Sequence, residues 1–119
     1  MTFDEDINFD GESIIRDVNE IFFDISTKNA QTATLYPREK RVLYTTAEGR
    51  IVGGRMISAD SYALIVTRIE IMSGVDMGRI SSGPQEGKIY LRLSDQHNEY
   101  NVSSKITSEG KQVTVTRTS

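Results

Sequence analysis

The chain has 119 residues, of which 37% are hydrophobic and 26% are charged, and it contains no cysteine. This length fits one small domain with a single modest core. The lack of cysteine excludes disulfide bonds and thiolate chemistry, and the sequence has no apolar run of the roughly 18 residues that a membrane span requires.

The net charge of −3 is unevenly distributed along the chain. The first 24 residues carry eight of the 17 acidic residues but only one base, Arg16. The rest of the chain is mildly basic, and this bias is too weak to indicate a nucleic-acid partner. The acidic start also lacks the basic and apolar segments of a signal peptide, so we expect a cytoplasmic protein that does not insert into a membrane.

Residues 1–10 are polar and acidic, and we expect a flexible tail there, followed by a single domain at residues 11–119. From Gly11 onward, apolar residues recur at steps of three and four, which predicts a helix with one buried stripe. Asp10 is its predicted N-cap, and Lys28 and Asn29 suit its end. The predicted stripe consists of Ile14, Ile15, Val18, Ile21, Phe22 and Ile25.

Three short strands are predicted next, at residues 32–36, 41–46 and 50–52, and Gly53 and Gly54 are expected to end the third. A second helix is predicted to begin near Ser58 or Asp60 and to end at Gly74. Its apolar residues also recur at helical spacing. The buried stripe predicted for this helix is Tyr62, Ile65, Val66, Ile69 and Met72.

Residues 88–94 alternate between apolar and polar side chains, which predicts a strand with Lys88, Tyr90 and Arg92 on its polar face. Two further strands at 100–104 and 112–117 complete a three-stranded meander. The predicted order is α-β-β-β-α-β-β-β. It defines an α+β domain with a mainly antiparallel sheet of about six strands and two helices on one face.

The segment 83–88, Gly-Pro-Gln-Glu-Gly-Lys, is superficially similar to a phosphate-binding P-loop. A P-loop requires four residues between its glycines and a Ser or Thr after the lysine, whereas this segment has three and is followed by Ile89. The segment is also predicted to open a strand, so no helix N-terminus faces an anion. We therefore reject a P-loop and expect no ATP hydrolysis by this chain alone.

His97 is the only histidine, and it lies in a polar segment predicted to be a hairpin turn. A single histidine without cysteine cannot form a typical zinc site, so we expect a solvated turn residue and no metal. The sequence offers no nucleophile–base pair and no paired carboxylates at a defensible spacing. We expect no catalytic residues.

Four segments in the second half of the chain resemble motifs of the GspE/PilB-type ATPases of type II secretion systems and type IV pili. They occur in the family's order and at similar spacing, and residues 18–21, 32–37 and 48–49 also fall at the places of family motifs. The four segments are 67–77 (Thr-Arg-Ile-Glu-Ile-Met-Ser-Gly-Val-Asp-Met), 84–89 (Pro-Gln-Glu-Gly-Lys-Ile), 100–104 (Tyr-Asn-Val-Ser-Ser) and 109–117 (Glu-Gly-Lys-Gln-Val-Thr-Val-Thr-Arg).

The resemblance implies a PAS-like domain that precedes a RecA-like ATPase domain, and Ser119 lies where a linker to that motor would begin. It further implies a cytoplasmic homohexamer, peripheral to the bacterial inner membrane, that powers pilus assembly or secretion. ATP and Mg²⁺ would be bound by the motor domain of the full-length parent. The expected partners are the motor domain, neighbouring subunits, and inner-membrane platform, secretion or pilus proteins.

By the same resemblance, basic residues of this domain are expected to face nucleotide phosphates, namely Arg92, Lys88, Arg117 and Arg79. Other positions depart from the family pattern. Asn101 stands where the family has an arginine, and residues 32–36 lack the family's acidic and histidine side chains. We therefore expect a mechanical and interface role for this domain. The alternative is a free-standing PAS-like binding or scaffold module with an apolar ligand cavity.

Overall fold

The computed structural model describes the backbone of residues 2–93 and 95–118, and the side chains of these residues except 2–12, 81 and 93. Two long helices and six strands occur in the order α-β-β-β-α-β-β-β, which confirms the predicted α+β class. The elements are α1 (Thr2–Thr27), β1 (Thr32–Tyr36), β2 (Arg41–Thr45), β3 (Ile51–Met56), α2 (Ala59–Ser73), a 3₁₀ helix (Met77–Ser82), β4 (Gln85–Leu93), β5 (Gln96–Thr107) and β6 (Gly110–Arg117).

The six strands form one antiparallel sheet in the order β3-β2-β1-β6-β5-β4. The first and last strands, β1 and β6, pair at its centre, so the two halves of the chain close on each other. Both helices pack on one face, and the core lies between them and alternate residues of the strands. Among the described residues, no helix has the length and apolarity that crossing a membrane requires.

Helix α1 begins at Thr2 and not near Gly11, so the expected boundary was wrong, and Asp10 lies inside the helix rather than at its N-cap. The flexibility of residues 1–10 stays a prediction. The helix ends as predicted, with Asn29 in the left-handed conformation at φ 56°.

Four residues of the predicted α1 stripe, Val18, Ile21, Phe22 and Ile25, are fully buried. Ile15 departs from the prediction, because 40% of it is exposed. Ile15 therefore lies at the margin of the buried stripe and contributes to the surface of the domain.

Helix α2 has the predicted ends. The Ser58 hydroxyl accepts a hydrogen bond from the Ser61 amide at 3.2 Å, and Gly74 adopts the left-handed conformation at φ 74° that a C-cap requires. Four of its five stripe residues are buried as predicted, and Met72 is only partly buried. The buried face also includes two polar residues, Glu70 and Ser73.

Strand β3 continues through Gly53 and Gly54, which were expected to break it. A Cβ at Gly54 would lie 2.9 Å from Cδ2 of Leu43 on β2, so the glycine permits close packing at this sheet edge. The strands β4, β5 and β6 are each longer than predicted, because their backbone pairing continues beyond the apolar core positions.

Candidate functional site

Glu70 of α2 is a fully buried carboxylate with partners on two strands. Its Oε1 accepts a hydrogen bond from the Lys111 ammonium at 3.1 Å, and its Oε2 accepts one from the Ser104 hydroxyl at 2.6 Å. Ser104 is fully buried, whereas a third of the Lys111 side chain is exposed. A buried carboxylate without such partners would cost several kcal/mol, roughly 3–5 when one partner is removed, so this cluster fixes α2 on β5 and β6.

Glu70 was not predicted to be buried, although the sequence contains a signal for it. Glu70 follows Val66 by four residues and precedes Ser73 by three, so helical spacing places it on the buried face. Its partner Lys111 is 41 residues further along the chain, and no local pattern points to it.

Gly87 of β4 lies directly against the end of α2. A Cβ at position 87 would be 2.2 Å from the carbonyl oxygen of Ser73, closer than any real side chain approaches. A glycine is therefore required where the end of α2 meets the start of β4. Ser73 is itself buried, and its hydroxyl donates to the Glu70 carbonyl at 3.1 Å.

These contacts bring together the four segments that carry the resemblance. Segment 67–77 contributes Glu70 and Ser73, segment 84–89 contributes Gly87, segment 100–104 contributes Ser104, and segment 109–117 contributes Lys111. All four therefore meet around the C-terminal half of α2. Residues that are scattered through the sequence form one packed unit, which we call the α2 junction (Glu70, Ser73, Gly87, Ser104 and Lys111).

The four basic residues expected to face phosphates lie at separate places. Lys88 and Arg92 are on the open face of β4, four residues apart, which corresponds to about 13 Å along a strand. Arg117 pairs with Tyr100, and it lies on the helix-covered face because paired residues share a face. Arg79 is exposed in the 3₁₀ helix. Of the four residues, only Lys88 and Arg92 share a face on which they could contact the same anion. The phosphate-facing role of all four residues stays a prediction.

Both cations on the open face have weak ion-pair partners. The Lys88 ammonium is 3.4 Å from Glu99 Oε2, and the Arg92 guanidinium is 3.7 Å from Asp95 Oδ1. Their side chains are more than half exposed, and such pairs contribute about 0–1 kcal/mol. His97 is exposed opposite Arg92, at the start of β5 rather than in the turn itself.

A surface pocket of about 400 Å³ lies between α2 and the β5–β6 hairpin. The Tyr62 hydroxyl donates to the Lys111 carbonyl at 2.8 Å, and the Lys40 ammonium lies 5.6 Å from the centre of the Tyr62 ring. Burial raises the pKa of Tyr62. The volume lies in the range of small-molecule sites. The pocket is lined by Pro37, Lys40, Ala59, Tyr62, Ala63, Val66, Thr67, Glu109, Gly110 and Lys111.

A second charged cluster joins α1 to β2 and β3. The Arg55 guanidinium donates from one nitrogen to Glu20 at 2.7 Å and from another to Asp24 at 2.8 Å. The Tyr44 hydroxyl donates to the same Asp24 oxygen at 2.8 Å. Burial alone would lower the pKa of Arg55, but its hydrogen bonds to Asp24 and Glu20 outweigh this and raise it. Burial, and then the bond to Asp24, raises the pKa of Tyr44.

Among the described residues, no three His, Cys, Asp or Glu side chains are grouped closely enough to hold a metal ion. No protein-family model matches the chain, and no curated protein matches it.

Proposed function

We propose that this chain is the amino-terminal, non-catalytic, PAS-like domain of a hexameric ATPase that powers type IV pilus assembly or type II secretion. The observation that supports this most strongly is the α2 junction. Each of the four segments with a family-like sequence supplies a buried or closely packed residue to it. The four segments therefore share one place in the fold, where each supplies a packing or polar contact.

The proposed role is mechanical. In the full-length parent, the motor domain would bind ATP and Mg²⁺, and this domain would transmit movement and contact neighbouring subunits. The α2 junction suits such a role, because a domain that relays force must move as one body and buried polar contacts oppose internal sliding. The protein would act in the cytoplasm, held near the inner membrane by platform, secretion or pilus proteins.

Two measurements test this proposal. The gene should encode a P-loop motif within about 100 residues after Ser119, roughly the size of one small domain. The isolated chain should not hydrolyse ATP and should bind it no more tightly than about 1 mM, or −4.1 kcal/mol, by calorimetry. A stop codon directly after Ser119, or micromolar binding of ATP to the isolated chain, would contradict the proposal.

The pocket beside Tyr62 favours a second candidate, a free-standing binding or scaffold module. Its apolar wall of Pro37, Ala63 and Val66 and its polar groups on Lys40 and Tyr62 resemble the composition of a ligand site. A thermal-shift screen of small carboxylates and aromatic compounds distinguishes the two candidates. A ligand that stabilises the chain but not a Tyr62→Ala variant favours the binding module, particularly if no motor domain is encoded downstream.

A further inference from the structure

We propose that the outer edge of β4 binds an extended segment of a partner protein in which apolar and acidic residues alternate. β4 is the outermost strand on its side of the sheet, and it pairs with no strand but β5 among residues 2–93 and 95–118. Its pairing with β5 is continuous over nine residues, from Gln85 to Leu93, without a bulge. A long regular edge of this kind presents backbone N–H and C=O groups to which one more strand can bond.

An apolar groove lies beside this edge on the helix-covered face. It has a volume of about 700 Å³ and lies between α1 and the C-terminal part of β4. Two of its aromatic or aliphatic residues are unusually exposed, Ile15 at 40% and Phe23 at 52%. The groove, which we call the β4 groove, is lined by Ile15, Arg16, Asn19, Glu20, Phe22, Phe23, Leu91 and Arg92.

The opposite, open face of β4 carries two cations, Lys88 and Arg92, and one acidic residue, Glu86, near the start of the strand. Lys88 and Arg92 lie there on either side of Tyr90, which is 69% exposed, and Arg92, on the edge strand, also lines the β4 groove. Because the ion pairs of Lys88 and Arg92 are long and solvated, incoming carboxylates can compete with Glu99 and Asp95.

These two surfaces together define the sequence of the partner. A strand added about 4.8 Å from β4 points alternate side chains to opposite faces of the sheet. One set meets the β4 groove and should be apolar, whereas the other lies beside Lys88 and Arg92 and should be acidic. Beside Lys88 and Arg92, charge complementarity therefore favours acidic partner residues over basic ones.

The other edge of the sheet, β3, is a poorer template. It has six residues, its pairing with β2 shifts register between Tyr44 and Thr45, and it contains Gly53 and Gly54. Short edge strands and bulges discourage the addition of a strand. The guanidinium of Arg55 on this strand already binds Glu20 and Asp24. We therefore assign the docking site to β4 alone.

The test uses a capped nine-residue peptide of alternating valine and glutamate as the probe, titrated into the ¹⁵N-labelled chain. We expect shifts of the amides of β4 and of α1 near Phe23, with a dissociation constant at or below about 1 mM. The same peptide with lysine in place of glutamate should bind at least tenfold more weakly, since like charges then face each other. Equal affinity for the two peptides, shifts confined to β3, or no binding at about 5 mM would overturn the proposal.

Variants separate this site from the rest of the surface. Arg92→Glu should weaken binding of the valine–glutamate peptide at least fivefold and strengthen binding of the lysine peptide. Phe23→Asp should weaken the binding of both peptides. Ile51→Asp on β3 is the matched control, because Ile51 is 61% exposed at the opposite edge, and it should change neither affinity. If Phe23→Asp does not fold, the charge reversal at Arg92 decides alone. Binding requires neither a motor domain nor nucleotide, so its failure leaves the proposed function unaffected.

Discussion

Gly87 and Ser73 are in such close contact that a Cβ on residue 87 would lie 2.2 Å from the Ser73 carbonyl oxygen. The atom that a Cβ would meet belongs to the backbone and not to a flexible side chain. The substitution Gly87→Ala must therefore displace the end of α2 or the start of β4. We expect this substitution to lower the free energy of unfolding by about 3 kcal/mol, at the upper end of the usual overpacking cost. Urea denaturation followed by circular dichroism measures the change.

Gly78→Ala provides a matched control for this experiment. A Cβ at Gly78 would meet only Asp76 Oδ1, at 3.4 Å, and Gly78 does not have a positive φ. We expect its effect to stay within about 1 kcal/mol, because a compatible Gly→Ala change acts mainly through the unfolded chain. Equal effects of the two substitutions would show that the contact at Gly87 does not hold α2 against β4.

The buried ion pair of Glu70 and Lys111 leads to a second prediction. Lys111→Met should lower the free energy of unfolding by about 2–3 kcal/mol, because it leaves the Glu70 carboxylate with Ser104 alone. The loss is smaller than for a fully enclosed pair, since a third of the Lys111 side chain is exposed. Removing both charges in Glu70→Leu/Lys111→Met should recover part of the stability, which a double-mutant cycle in urea would measure.

Lys105→Met on β5 serves as the control, since Lys105 is an exposed lysine on the same hairpin. It should change the free energy of unfolding by less than about 0.5 kcal/mol. If Lys111→Met behaves like Lys105→Met, the Glu70 carboxylate does not depend on its ion pair.

The parts of this fold that could be predicted are those that local spacing determines. The caps Ser58 and Gly74 mark α2 because their residue types suit the backbone that a helix end requires. Strand β1 was also predicted with the observed limits, since its branched and aromatic residues stop before Pro37. These signals depend on neighbouring residues only.

The parts that could not be predicted depend on distant residues. Gly53 and Gly54 look like a break, but pairing with β2 keeps them extended. Lys111 gives no local sign that it pairs with Glu70, 41 residues earlier. The predicted phosphate-facing residues shared only their charge, and the pleat of the sheet places Arg117 on the opposite face from Lys88. Spacing along one strand cannot show which face a residue of another strand occupies.

Tyr44 gives a prediction about stability at high pH. Burial and its hydrogen bond to Asp24 raise its pKa, so the folded chain holds the phenolic proton more tightly than the unfolded chain, where the pKa is about 10. The stabilisation that arises from this pKa difference is complete below about pH 10. It is lost as the pH rises toward the pKa of Tyr44 in the folded chain. We expect the free energy of unfolding to fall between about pH 10 and pH 12, and Tyr44→Phe to make this fall shallower.

Urea denaturation at pH 8, 10 and 11.5 tests this, with the absorbance of tyrosinate at 295 nm followed in the folded and the urea-unfolded chain. Tyr62 and Tyr100 also have raised pKa values, chiefly through burial, so Tyr44→Phe should remove only part of the dependence. The interpretation fails if Tyr44→Phe and the unchanged chain lose stability in parallel above pH 10.

Arg55 joins α1 to the edge strand β3 through two separate guanidinium nitrogens, one for Glu20 and one for Asp24. A lysine has a single ammonium group and cannot reproduce this fork. We therefore expect Arg55→Lys to lower the free energy of unfolding by about 1 kcal/mol in low salt. In 1 M NaCl, where the Debye length is about 3 Å, the difference between the two proteins should shrink.

Arg50→Lys, in the exposed turn between β2 and β3, should have no comparable effect at either salt concentration. Arg55→Met distinguishes the contribution of the charge from that of packing, because methionine lacks the guanidinium group but retains much of the apolar part of the arginine side chain. If the interaction is electrostatic, Arg55→Met should destabilise more than Arg55→Lys in low salt, and both losses should decrease in high salt. Losses that are unaffected by salt would show that the arginine stem, and not its ion pairs with α1, holds β3 in place.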